Sequence, residues 1–173
     1  MINIMLSYPK ERSKLASGNV VLFANGNIVP LKKVSEHYEA KLDITGSYSI
    51  QLISRPELSQ KHWFVKSLFF WIVGIAGICT PHYDKRGLTL EYTMQGEVVG
   101  DDATIELRLL PTSTNECFKQ AVFAKGDGVN YTEDNIAYTI NSKARKRYRI
   151  YTFFNWFFRL LLIAGGAILL FTM

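Results

Sequence analysis

The sequence predicts a mainly β protein with two membrane-associated α-helices. Two apolar segments, residues 63–80 and 151–173, each contain a single charged residue. Outside them, apolar and polar residues alternate with the period of two that is typical of half-buried strands. Glycine and proline separate these alternating runs, as the turns of a β fold require. We therefore expect a β-sandwich-like soluble part built from two halves, residues 1–60 and 81–142.

The length of 173 residues suits one domain or two small ones. We divide the chain into four segments, which alternate between strand-forming and helical composition. They are a first β-half (1–60), a membrane-associated helix (61–81), a second β-half (82–142), and a basic collar with a C-terminal transmembrane helix (143–173).

The clearest turn signal is Asn25-Gly26, which lies between the apolar run 20–24 and the run 28–31. Asn-Gly between two such runs predicts a tight β-hairpin. Pro30 lacks a backbone N–H, so the second strand of this hairpin should lie at a sheet edge.

Other alternating runs predict the remaining strands. Gln95-Gly96 is interpreted as a turn that interrupts one of them. These runs are 38–44, 48–54, 88–94, 97–99, 104–110 and 131–140, with a short apolar run at 121–124 in an otherwise polar stretch.

The last segment predicts a C-terminal transmembrane helix. At ~1.5 Å per residue, residues 151–173 would extend ~34 Å, enough for the ~30 Å hydrocarbon core of a bilayer. Five cationic side chains directly precede it, and we call them the basic collar: Lys143, Arg145, Lys146, Arg147 and Arg149. Because Lys and Arg bind anionic headgroups, the collar is predicted to contact lipid.

The two apolar segments share a layout. Lys66 in the first and Arg159 in the second are each followed by fourteen uncharged residues. Both cations are expected to extend back to lipid headgroups. Small residues in the middle of each segment allow helices to approach closely, so the two helices are predicted to pack together through Gly74, Gly77, Gly165 and Gly166.

The collar also indicates sidedness, because cationic residues favour the cytoplasmic side of a membrane. Three arrangements remain open. Residues 63–80 cross fully with 1–60 outside, or they insert partway with both β-halves cytoplasmic, or 81–149 lies outside. We favour both halves on the cytoplasmic side of a bacterial cytoplasmic membrane.

Charge and composition exclude several classes of function. The net charge of +5 equals the charge of the collar alone, so the rest of the chain is about neutral. A local patch of this kind does not predict a nucleic-acid-binding protein. No phosphate loop, nucleophile elbow or dinucleotide fingerprint occurs in the sequence, and no cofactor is predicted.

Two short motifs resemble reactive or metal sites without meeting their requirements. Cys79, His82 and Asp84 combine nucleophile and ligand types, but three or four converging ligands are needed and only two other histidines exist. Residues 126–134 resemble a calcium loop, yet Val129 occupies a position that needs an oxygen ligand. We therefore predict neither a catalytic nor a metal site.

Three functions are compatible with these features. The first is a membrane-anchored β-domain that acts by binding, as a subunit or accessory factor of a membrane protein assembly. Its partners would be membrane lipids and a protein partner, or a second copy bound through the helices. The second is a membrane-bound immunity or inhibitor protein against a toxin. The third is a lipid-proximal enzyme that uses Cys79, His82 and Asp84.

Overall fold

The computed structural model describes residues 1–7, 20–35, 37–75, 83–111 and 119–172. Within these ranges the chain forms ten strands and two α-helices. The strands are β1 (Ile2–Ser7), β2 (Val20–Ala24), β3 (Asn27–Val29), β4 (Lys32–Val34), β5 (His37–Leu42), β6 (Ser47–Ser54), β7 (Leu88–Val98), β8 (Ala103–Pro111), β9 (Lys119–Asp127) and β10 (Val129–Ile140). The helices are α1 (Trp63–Ile75) and α2 (Ser142–Thr172), and a short 3-10 helix spans Glu57–Ser59.

The strands form two five-stranded sheets, in the orders β4-β5-β1-β8-β9 and β10-β7-β6-β2-β3. Each sheet takes strands from both halves of the chain. The halves join through the parallel pair β1–β8 in one sheet and the antiparallel pair β6–β7 in the other. The prediction of a mainly β fold with two helices is confirmed. The two halves therefore share both sheets and form one folded unit.

Alternation along the strands places one apolar face of each sheet in a shared core. Ile2, Ile4 and Leu6 of β1 are fully buried, and they pack in one cluster with Leu52 of β6 and Tyr92 of β7. Fully burying a large aliphatic side chain contributes ~1.5–3 kcal/mol, so this cluster supplies most of the apolar stabilisation of the sandwich.

The predicted hairpin at Asn25-Gly26 is confirmed. Both turn residues have positive φ angles, 47° and 79°, as a tight turn between right-twisted strands requires. The Asn25 side chain also accepts a hydrogen bond from the Ser49 backbone N–H at 2.7 Å, which fixes the turn against β6. The strand β3 lies at the sheet edge, as Pro30 predicted.

The predicted turn at Gln95-Gly96 is wrong, because β7 continues through both residues. The strand requires glycine at position 96 because neighbouring atoms leave no room for a side chain, and not because the chain turns. A Cβ at this position would clash with the backbone oxygen of Asn130 on β10 and lie 2.6 Å from the Tyr48 hydroxyl. A glycine inside a strand can therefore mark close approach of neighbours, which the sequence alone does not distinguish from a turn.

The two predicted helices exist, but α2 begins at Ser142. The basic collar is therefore the first part of this helix and not a separate segment before it. Among the described residues, no helix is both long and apolar enough to cross a membrane. The predicted transmembrane crossing by residues 151–173 thus has no support from the structure.

Replacing Gly96 with alanine should destabilise the sandwich strongly, because a backbone oxygen cannot move aside as a side chain can. We expect a loss of about 3 kcal/mol, or a fall in Tm of roughly 6–12 °C, measured by circular dichroism in mild detergent. Gly165→Ala is the control, since a Cβ at Gly165 meets nothing within 4 Å. Equal melting temperatures for the two variants would contradict the assignment.

Candidate functional site

The helices are attached to the sandwich by Arg147, which lies in the second turn of α2. Its Nη1 donates hydrogen bonds to the backbone oxygens of Leu58 at 2.8 Å and Gln60 at 2.9 Å. The guanidinium carbon also lies 5.1 Å from the ring centroid of Trp63, within cation–π range. Arg147 therefore connects α2, the 3-10 helix and the start of α1. Its predicted lipid contact stays a prediction, and this structural role was not visible in the sequence.

A cluster of aromatic side chains holds α1 against α2. Trp71 is 3% exposed and stacks on Tyr151 with 5.7 Å between centroids, while Phe154 lies 5.1 Å and Phe158 6.0 Å from the same ring. Tyr83 meets Tyr151 edge-on at 4.9 Å. Such pairs each add ~0.5–1.5 kcal/mol beyond the area they bury, so the helix pair is a second packed unit beside the sandwich.

Burial in this cluster also changes the chemistry of Tyr83. Burial raises the pKa of the Tyr83 hydroxyl to about 12. Sequence analysis did not identify Tyr83, although an aromatic residue just after an apolar segment is a signal of packing against that segment.

Residues farther along α1 contact residues farther along α2, so the two helices run in the same direction. Trp63 at the start of α1 meets Arg147, and Trp71 farther along meets Tyr151 and later residues of α2. The chain then returns, because Tyr83 also contacts Tyr151. Both ends of the 63–83 segment therefore lie beside the same part of α2.

The prediction that the two helices pack together is confirmed, with aromatic residues at the contact. Open space surrounds Gly165 and Gly166, where an added Cβ would meet nothing within 4 Å. Gly74 lies in α1, and Gly77 falls outside the described residues. A packing role for these glycines therefore stays a prediction.

The outer sides of α1 and α2 carry many exposed apolar side chains, which together we call the apolar helix surface. Of the nineteen large apolar side chains exposed within the described ranges, thirteen lie on these two helices. Exposed fractions reach 70% at Ile163. Its members are Phe64, Val65, Leu68, Phe69 and Ile72 on α1 and Phe153, Trp156, Phe157, Leu160, Leu161, Leu162, Ile163 and Ile168 on α2. These two helices therefore carry most of the exposed large apolar side chains in the described part of the chain.

Exposed cations accompany this surface at the end nearest the sandwich. Four collar residues are exposed: Lys143, Arg145, Lys146 and Arg149. Lys66 is held near them, because its Nζ donates a 2.6 Å hydrogen bond to the side chain of Gln60, whose backbone oxygen binds Arg147. Arg159 is exposed farther along α2, next to Leu160. The helix pair thus carries exposed cations at the end nearest the sandwich and exposed apolar side chains farther along α2.

The residues considered for catalysis or metal binding do not form a site in the described part of the chain. Both Asp84 carboxylate oxygens accept backbone hydrogen bonds, from Arg86 at 2.9 Å and Leu88 at 2.8 Å. Cys79 and His82 lie outside the described residues. Within those residues, no group of three or more His, Cys, Asp or Glu side chains could hold a metal ion.

Replacing Arg147 with alanine should loosen the attachment of the helices. Two hydrogen bonds to backbone carbonyls and one cation–π contact are lost, and we expect a cost of about 2 kcal/mol. Hydrogen exchange of the backbone amides in residues 57–63 should accelerate. Lys146→Ala is the matched control, because this neighbouring cation is exposed. The assignment fails if the two variants exchange at the same rate.

Comparison of the chain with protein-family models, with curated proteins and with solved structures found no match. Three features of the molecule bear on its function: the sandwich whose two sheets both halves share, the hydrogen bonds of Arg147 to the 3-10 helix segment, and the exposed apolar helix surface beside exposed cations.

Proposed function

We propose that this protein is a membrane-associated β-sandwich that acts by binding, as a subunit or accessory factor of a membrane protein assembly. The observation that supports it is the apolar helix surface, which is exposed on a helix pair that projects from a well-packed sandwich. A soluble domain of this composition would bury those side chains. The helices instead pack Trp71 and its neighbouring rings against each other and leave other aliphatic and aromatic side chains exposed.

The energetics favour insertion of this surface into lipid. Moving one exposed Leu, Ile or Phe side chain from water to an apolar phase contributes ~1.5–3 kcal/mol. The eight members of the surface on α2 alone therefore outweigh the cost of ordering one molecule at a membrane. Trp156 is 61% exposed and suits the interfacial level, where indole rings concentrate.

The cations give this insertion an orientation. Each Lys or Arg near an anionic membrane surface contributes ~1 kcal/mol, and the exposed collar residues lie at the sandwich end of α2. We place them at the headgroups, with Lys66 at the same level. Arg159 extends back from the apolar part of the helix toward the headgroups, as long cationic side chains do. The sandwich then stands just outside the bilayer.

Because both halves contribute strands to both sheets, we propose that the whole sandwich lies on one side of the membrane. Cationic residues favour the cytoplasmic side, so we assign the sandwich to the cytoplasmic face of a bacterial cytoplasmic membrane. In this position the outer sides of α1 and α2 are available to helices of partner subunits. Gly165 and Gly166 leave room for close approach of such a helix.

Acidic substitutions on the apolar helix surface should abolish membrane binding. We expect Phe157→Glu with Leu161→Glu to remain at the bottom of a flotation gradient with phosphatidylcholine–phosphatidylglycerol vesicles, whereas the unaltered chain floats. Ile28→Glu with Val99→Glu is the control, because both residues are exposed on the sandwich and the charge change is equal. If both double variants float, the apolar helix surface does not bind the membrane. The unaltered chain should also float less well at high salt, since salt screens the collar.

The assembly role has its own test. Blue-native electrophoresis of the native protein, extracted from its membrane in mild detergent, should show a complex larger than the monomer and its detergent shell. A monomer with no copurifying protein contradicts the subunit role while leaving the membrane-binding role standing. Gly165→Leu should reduce the complex, because a large side chain blocks close approach of a partner helix.

A further inference from the structure

A cationic cleft lies where the second sheet meets the start of α2. Its volume is about 480 Å³, within the range of pockets that bind small ligands. Four cations line it: Lys85 and Arg86 before β7, and Arg145 and Arg149 on α2. They come from two parts of the chain about sixty residues apart, so the sequence shows only half of the cluster at a time.

The fold holds the two sources of charge together by specific contacts. Gly87, with a φ angle of 64°, follows Arg86 and lies so close to α2 that an added Cβ would be 3.0 Å from the Arg145 backbone nitrogen. The Gly87 backbone oxygen accepts a hydrogen bond from the Asn141 N–H at 2.8 Å. These two contacts hold the loop before β7 against the first turn of α2, so the cleft has a fixed place in the fold.

The remaining lining provides an apolar floor and a hydroxyl. Leu88 and Ile140 are paired across β7 and β10, and both line the cleft. Tyr148 adds a phenol at the side. No carboxylate is among the lining residues, and the nearby Asp84 carboxylate is occupied by two backbone N–H groups. Lys85, Arg145 and Arg149 thus lie together in a cleft whose lining residues include no acidic side chain.

We propose that this cleft binds the phosphate group of a phosphate monoester, either the headgroup of an anionic phospholipid such as phosphatidate or a soluble phosphate ester. Guanidinium groups match phosphate oxygens with paired hydrogen bonds, and the lysine adds a point charge. The apolar floor suits the glycerol carbons next to the phosphate, so we favour the lipid. This inference rests on the proposed function, which places the cleft at the headgroup level.

A monomeric ligand tests the cleft without the bulk charge of a membrane. The full chain in uncharged detergent is titrated with dihexanoyl phosphatidate, with glycerol 3-phosphate and with dihexanoyl phosphatidylcholine. We expect saturable binding of the phosphatidate and none of the phosphatidylcholine. Equal affinity for glycerol 3-phosphate would identify a soluble phosphate ester as the ligand, whereas binding of the lipid alone would identify the headgroup.

A pair of charge-matched variants separates the cleft from general attraction. Lys85→Ala with Arg149→Ala should weaken phosphatidate binding at least about tenfold, because charge-assisted hydrogen bonds are lost. Lys143→Ala with Lys146→Ala removes the same charge from α2 outside the cleft and should change affinity less than about threefold. Both double variants must keep the Tm of the unaltered chain within a few degrees, which shows that the fold is intact.

The proposal is overturned if neither phosphate compound binds saturably, or if the two double variants lose affinity equally. Its failure is distinct from failure of the proposed function. A chain that floats with vesicles but does not bind monomeric phosphatidate lacks this site and keeps its membrane role. A chain that binds phosphatidate but does not float keeps the site and lacks the membrane role.

Discussion

The backbone pairing of β1 with β8 is the constraint on which the rest of the structure depends. It joins the first residues of the chain to a strand about a hundred residues later, in parallel and in register from Ile2–Ala103 to Ser7–Arg108. This pair in one sheet and the β6–β7 pair in the other join strands of the two halves of the chain. The segment between the halves must therefore leave the sandwich and come back to it. That requirement determines the path of α1 and the return of the chain at Tyr83.

The return creates a second packed unit beside the sandwich. Trp71, almost fully buried, is surrounded by rings from α2, and Arg147 links the base of both helices to the backbone of the 3-10 helix. The two helices pack against each other through these rings. The aliphatic and aromatic side chains of the apolar helix surface remain exposed. Membrane binding follows as a proposal from that exposure, since lipid is the environment that such a surface favours.

The same return places cations from two distant segments around one cleft. Lys85 and Arg86 lie just before β7, after the chain has returned from α1. Arg145 and Arg149 belong to the first turns of α2. Gly87 allows the close contact that brings them together, because a side chain at that position would meet the helix backbone. Because the loop before β7 packs against the start of α2, the basic residues of this helix become part of a candidate phosphate site. The apolar surface and the cationic cleft are adjacent for one structural reason.

The sequence by itself determined the fold class, the Asn25-Gly26 hairpin and the existence of both helices. These are local features, set by period, turn chemistry and apolar composition. Its prediction of a strand over 131–140 begins two residues after Val129, where β10 starts, and the residues of β10 are mostly exposed. It also mistook Gly96 for a turn, because the neighbours that require a glycine there come from other strands.

Only the tertiary structure decided how the halves interleave, which collar residue points inward, and which cations share a cleft. Arg147 lies among other basic residues in the sequence. Among the collar residues, all of them in the described part of the chain, it alone donates hydrogen bonds to the backbone oxygens of residues 58 and 60. The pairing of β1 with β8, and of the Lys85 loop with α2, spans long sequence separations. Such contacts depend on the cost of closing long loops and on the packing of one shared core, and neither is encoded in any single stretch of the chain.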